Sequence, residues 1–138
     1  MTSNEATDKL MLKAFVLCDN ITDNPASQDQ KDLQGAGLSR IECADPFPVK
    51  LSFWVFVQLS DQKETGEARL ALTRADSGRR YFFRPITVRH QDLARATVFC
   101  VRLYDCTFPE RGVYFLELWY DEVWVVDQRL ELTERGVL

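Results

Sequence analysis

The sequence predicts an all-β protein, an antiparallel β-sandwich of immunoglobulin-like or related type with about eight strands. Three observations carry this. Short apolar runs alternate with period two along most of the chain, turn signals separate them at regular intervals, and no stretch shows an amphipathic helical period of useful length. A closed barrel is the alternative arrangement of the same strands.

Each element has its own justification. Residues 1–9 are polar and are expected to fray; the domain proper is expected over 10–134, with a tail at 135–138. Met11 to Cys18 reads as a first strand, and Asp19 to Gln30, rich in Asp, Asn, Ser, Gln and Pro, as a loop. Leu33 to Cys43 resumes an extended pattern, with Gly35 and Gly37 marking a bulge or a tight approach. Asp45-Pro-Phe-Pro48 is a rigid turn, because proline fixes φ and pushes its predecessor to extended geometry. Val49 to Leu59 is the longest strand, and its odd positions, from Val49 to Leu59, are uniformly apolar and form the core face. Glu67 to Arg74 turns Ala68, Leu70 and Leu72 to the same side. Asp76-Ser-Gly78 is a turn. Tyr81–Phe83 and Ile86–Val88 read as two short strands interrupted by Pro85, which suits a sheet edge. Asp92 to Arg95 could form one helical turn. Thr97 to Tyr104 is another strand, and Phe108 to Gly112 turns into a terminal hairpin running to about Thr133.

Composition narrows the function classes. At 138 residues the chain is one domain, and 46% hydrophobic with 12% aromatic residues makes a core that needs neither disulfide nor metal. The net charge of -4 argues against a nucleic-acid footprint, which requires a basic stripe. No run approaches the ~18 apolar residues of a membrane span. The opening residues, Met-Thr-Ser-Asn-Glu-Ala-Thr-Asp, do not resemble a secretory signal, so a cytoplasmic location is expected, with Cys18, Cys43, Cys100 and Cys106 as thiols.

Four motifs together carry a resemblance: Cys18-Asp19 closing the first strand, Leu33-Gln34-Gly35, Phe47-Pro48-Val49 leading into the long strand, and Pro109-Glu110-Arg111-Gly112-Val113-Tyr114 before the last hairpin. In this order they resemble a bacterial family of small, uncharacterised all-β proteins, over about residues 11 to 133. The resemblance implies a β-sandwich and no activity. The chain departs from that pattern in its hairpin turn, Asp121-Glu122 where Asp-Gly is usual, and in the apolar Trp119 and Trp124.

Catalytic and metal chemistry find little support in the residues. His90 is the only histidine, lies in a polar connection and reads as an ordinary surface residue. The cysteines include no Cys-x-x-Cys pair, and Cys18 has no base beside it. Asp19, Asp23, Asp29 and Asp32 match no calcium loop. Arg74, Arg79, Arg80, Arg84 and Arg89 read as a solvated face. Neither cofactor nor metal is expected, and the chain is not expected to be an enzyme.

The terminal hairpin is the sharpest functional signal. Pairing Tyr120 with Val123 puts Tyr114, Leu116, Leu118, Tyr120, Val123 and Val125 on one face. The other face carries Phe115, Glu117, Trp119, Trp124 and Val126. Strands apolar on both faces have two buried faces or reserve one for a partner. The expected function is therefore a non-catalytic protein-interaction module that docks a protein, or a second copy of itself, through Phe115, Trp119 and Trp124. A sugar-, peptide- or small-molecule-binding domain using the same aromatics is the alternative. Nucleic acid and membrane are not expected partners.

Overall fold

The computed structural model describes residues 10–23, 25–26, 31–91 and 95–135, and it is all-β. The strands are β1 (Met11–Cys18), β2 (Asn20–Asp23), β3 (Lys31–Gln34), β4 (Arg40–Cys43), β5 (Val49–Ser60), β6 (Thr65–Arg74), β7 (Arg80–Arg89), β8 (Thr97–Phe108), β9 (Gly112–Tyr120) and β10 (Val123–Glu134). A three-stranded sheet, β1-β5-β8, faces a five-stranded sheet, β4-β10-β9-β6-β7, and β2 pairs with β3 as a small hairpin. The class is the expected sandwich, and the sheets do not close into a barrel. The expected fraying of residues 1–9, most of the helical turn expected at 92–95 and most of the expected tail at 135–138 lie outside the described residues.

Period-two patterning builds the core. Phe53, Val55, Val57 and Leu59 of β5 are at most 2% exposed and meet Leu70 and Leu72 of β6, Leu116 and Leu118 of β9, and Leu130 and Leu132 of β10. Side chains alternate across each strand, so the opposite faces of β6, β9 and β10 point away from this core.

The corner before β9 shows why Pro109-Glu110-Arg111-Gly112-Val113-Tyr114 takes its form. Tyr114 is fully buried and its hydroxyl donates to the Glu110 carbonyl at 2.6 Å, a tyrosine corner of the kind found in immunoglobulin-type sandwiches. Its ring stands edge-on to Phe108 at 5.0 Å, with the Arg74 guanidinium 5.7 Å from its centroid. Gly112, at φ 139, adopts a backbone that other residues resist. A similar reason joins Cys18-Asp19 to Leu33-Gln34-Gly35. The Asp19 amide donates to the Gln34 carbonyl at 2.9 Å, and the Asp19 carboxylate lies where a Cβ on Gly35 would sit.

Several expectations need correction. The described residues form ten strands: Asp19–Gln30 is not all loop, since Asn20–Asp23 pairs with Lys31–Gln34 as β2 and β3, and Leu33–Cys43 splits into β3 and β4 around Gly35 and Gly37, both with positive φ. The sandwich is not wholly antiparallel: β4 runs parallel to β10. Pro85 does not interrupt β7, because β7 is an edge strand and Pro85 simply pairs with Arg69. Val123, expected inside, is 50% exposed.

Candidate interaction face

Asp121 and Glu122 have φ of 48° and 68°, the two left-handed residues of a type I′ turn, which matches the twist of a hairpin. Asp121 is anchored from both sides: its carboxylate accepts from the Glu67 amide at 2.9 Å and pairs with Lys63. Burial pushes the Asp121 carboxyl up, but these bonds outweigh it and hold the group below the usual carboxylate range. The turn therefore fixes the register, with Tyr120 opposite Val123 and Trp119 opposite Trp124.

This register puts the two tryptophans on the face away from the core. Trp119 is half-buried, Trp124 is 49% exposed, and Tyr114, Leu116 and Leu118 of the same hairpin are fully buried. The register then shifts between Trp124 and Val126, and Val126 lies opposite Leu118. Val125 is the extra residue of a β-bulge. It therefore inverts the assignment of Val126, which packs against the core instead of joining the tryptophans.

The outer face of the five-stranded sheet consists of rows set by the ladder. Trp124, Trp119, Arg69 and Pro85 form one row across β10, β9, β6 and β7. Asp127, Glu117, Ala71 and Phe83 form the next. Phe115 lies in a third row, between Thr73 and Arg129. The structure thus joins Trp119 to Trp124 but separates Phe115 from them by the Glu117–Asp127 pair. In their place it brings in Phe83, 47% exposed, which sequence reasoning missed. Pairing Glu67–Arg74 with β7 through the Asp76-Ser-Gly78 turn would have found it.

Cations flank Phe83. The guanidinium of Arg80 lies 5.3 Å and that of Arg69 5.9 Å from the ring centroid. Arg69 also pairs with Glu67 at 3.6 Å and Glu122 at 3.5 Å. Arg69, Arg80, Phe83, Trp119 and Glu122 line a shallow groove of about 170 Å³. The arginines do not form one basic patch. Arg84 lies toward the other sheet and donates to the Arg102 carbonyl at 3.1 Å, Arg79 lies over Tyr81, and Arg74 pairs with Asp76 and Glu110.

His90 is not on the surface. It is 4% exposed, with Nε2 2.8 Å from the Tyr120 hydroxyl and Nδ1 2.8 Å from Thr97 Oγ1. The Tyr120 hydroxyl donates to Asp61 Oδ2 at 3.0 Å. Since that proton is committed to Asp61, Tyr120 accepts from the His90 Nε2–H, and Nδ1 accepts from Thr97. Burial, then Asp61, raise the Tyr120 hydroxyl well above its usual range, so it stays a phenol. Asp61 is 4% and Tyr120 3% exposed, so these partners satisfy one another inside the domain. A signal was present: Ile86, Val88 and His90 share one parity, and extending the pattern one step turns His90 inward. Among the described residues, no group of three His, Cys, Asp or Glu side chains could hold a metal ion.

Comparison with known proteins places the chain in a class. It belongs to DUF6941, a family of unknown function, whose model matches residues 13–133. Among solved structures it is similar to an immunoglobulin-like protein from Pseudomonas aeruginosa, at 15% identity and a TM-score of 0.45, over 89% of this chain and 95% of that one. Among curated proteins no sequence matches it. No described helix is long and apolar enough to cross a membrane.

Proposed function

We propose that the protein is a non-catalytic interaction module whose working surface is the outer face of its five-stranded sheet, where a protein docks. One observation carries this reading. Trp124 and Phe83 are 49% and 47% exposed on the face of the sheet that points away from the buried core. Large aromatics in water are disfavoured unless something covers them, and they dominate the energetics of protein interfaces. The enzyme reading gains nothing from the single histidine, which is buried and committed to Tyr120 and Thr97. The cysteine thiols suit a reducing, cytoplasmic setting.

The double substitution Trp119→Ser with Trp124→Ser tests the reading by light scattering over a range of concentrations. Association in the wild type, and its loss in a variant that still unfolds cooperatively, is the expected result. A wild type that stays monomeric at high concentration, with a variant that fails to fold, would make these residues structural and end the proposal. The groove between Phe83 and Trp119 favours a second reading, a platform on which a sugar or peptide stacks. A thermal-shift screen of glycans and short peptides tests it, with stabilisation lost on Phe83→Ser as the expected result.

A further inference from the structure

Resting on that reading, we infer that the docked protein lays a basic segment, rich in arginine or lysine, across the β9–β10 half of this face. That half joins two kinds of residue. Trp119 and Trp124 oppose each other in one row, and Glu117 and Asp127 oppose each other in the next. On β9 the two rows lie about 7 Å apart, two residues at ~3.4 Å each.

The carboxylates select the charge of the occupant. Like charges directly opposed on one face of a hairpin destabilise it. Among the described residues, no Lys or Arg lies within ion-pair distance of Glu117 or Asp127. The two arginines that border the pair are engaged elsewhere. Arg69, beside Trp119, pairs with Glu67 and Glu122, and Arg129, opposite Phe115, pairs with Glu131. Glu117 Oε1 accepts from the Trp119 indole N–H at 3.4 Å, a bond that holds the carboxylate at the ring edge and brings no positive charge.

The tryptophans select its chemistry. A guanidinium or ammonium is drawn to an aromatic face, and the indole is the strongest of these acceptors. A long basic side chain also carries an apolar stem, which covers ring surface while the charged head reaches beyond it. Laid along the strands, such a side chain spans the ~7 Å between the rows, with its stem on an indole and its head between the two acids. An acidic occupant would meet two unpaired carboxylates here. A wholly apolar one would bury them without a counter-ion, which is strongly unfavourable. A basic segment satisfies both rows at once.

Titration of the full chain with a hexa-arginine peptide, followed on the indole N–H signals by NMR, tests the occupant. The signals of Trp119 and Trp124 should shift and saturate, and that of Trp54, on β5 of the other sheet, should not. Binding should weaken roughly tenfold in Glu117→Gln with Asp127→Asn, as two exposed charge pairs acting together allow, and should weaken further as salt is raised. Glu42→Gln with Asp45→Asn removes the same charge from exposed positions at the β4 edge and should leave binding unchanged. In the free protein Glu117→Gln should raise the unfolding midpoint, because it relieves the opposed pair. A midpoint that stays or falls would show the pair already neutralised and overturn the inference, as would peptide binding that Glu117→Gln with Asp127→Asn leaves at full strength. If Trp119→Ser with Trp124→Ser abolishes wild-type association while the peptide moves neither indole, the face stands and its occupant is a second copy of the chain. A wild type that neither associates nor binds the peptide removes both.

Discussion

The Tyr120 hydroxyl ties three connections together: Asp61 follows β5, His90 leads from β7 toward β8, and Tyr120 itself ends β9. Removing that oxygen leaves buried partners unsatisfied on both sides, at a cost of about 1–3 kcal/mol for each such group. Tyr120→Phe should therefore lower stability by at least ~1 kcal/mol, measured by urea unfolding; no change would mean that water replaces the hydroxyl. Gly66→Ala should be at least as damaging, because a Cβ there would occupy the position of the Tyr120 hydroxyl. Tyr114 acts on a larger scale of burial. Tyr114→Ala should cost ~3–5 kcal/mol, whereas Tyr114→Phe, which keeps the ring and loses the bond to Glu110, should cost about 1 kcal/mol. Equal effects of the two would assign the corner to the hydroxyl alone. The Tyr114 face was legible from parity. The Tyr120 relay is hidden by the polar neighbours of His90, and only the alternation leading into His90 points it inward.

At the scale of elements, β10 shows how far period-two reasoning reaches. The turn chemistry fixed the 119–124 pair, since Asp and Glu occupy the two positive-φ positions of a two-residue loop. One residue later the alternation fails. Nothing in Val123-Trp-Val-Val126 distinguishes a bulged valine from a paired one, because all four are apolar and either parity satisfies the local pattern. The parity downstream does distinguish them: Leu130 and Leu132 share a face with Leu116 only if one residue is skipped. This makes deletion informative. Removing Val125 should abolish the bulge and keep Val126 opposite Leu118 and Leu130 opposite Tyr114. The protein should fold, losing about 1–2 kcal/mol for one half-buried valine. Removing Gln128 instead forces the bulge to close by turning Asp127 toward Leu116 in the core, and that chain should not fold cooperatively. Equal tolerance of both deletions, by denaturant titration, would show that the bulge slides freely. The edge position of β7 was legible from Pro85, but its continuity was not, because a proline that faces away from the ladder breaks nothing.

For the molecule as a whole, a hydrogen-bonded carboxylate and buried thiols set the pH range of stability, and the two limits have opposite signs. Asp121 is held below its usual value of 3.8, so the folded state favours its charged form. That contribution is present above the unfolded value and is lost as the pH falls through the lower, folded one. Cys106 is the reverse case. Burial, then Asp105, push its thiol from 9.0 up to about 11, and burial also raises Cys18 and Cys43. The folded state therefore favours neutral thiols, and stability fully present below pH 9.0 is lost as the pH rises toward 11. Tyr120, also raised, acts in the same direction. Thermal unfolding should show a plateau between these limits, with the acid limb reduced in Asp121→Asn and the alkaline limb reduced in Cys106→Ala. An alkaline limb that Cys106→Ala leaves unchanged would remove the thiol from this account. The same burial predicts slow labelling of Cys18, Cys43 and Cys106 in the native state, because the reactive species is the thiolate. Denaturation without reductant should release all four thiols, since none of the cysteines forms a disulfide. A count of two would instead require a bridge that this fold does not contain, and with it an oxidising compartment.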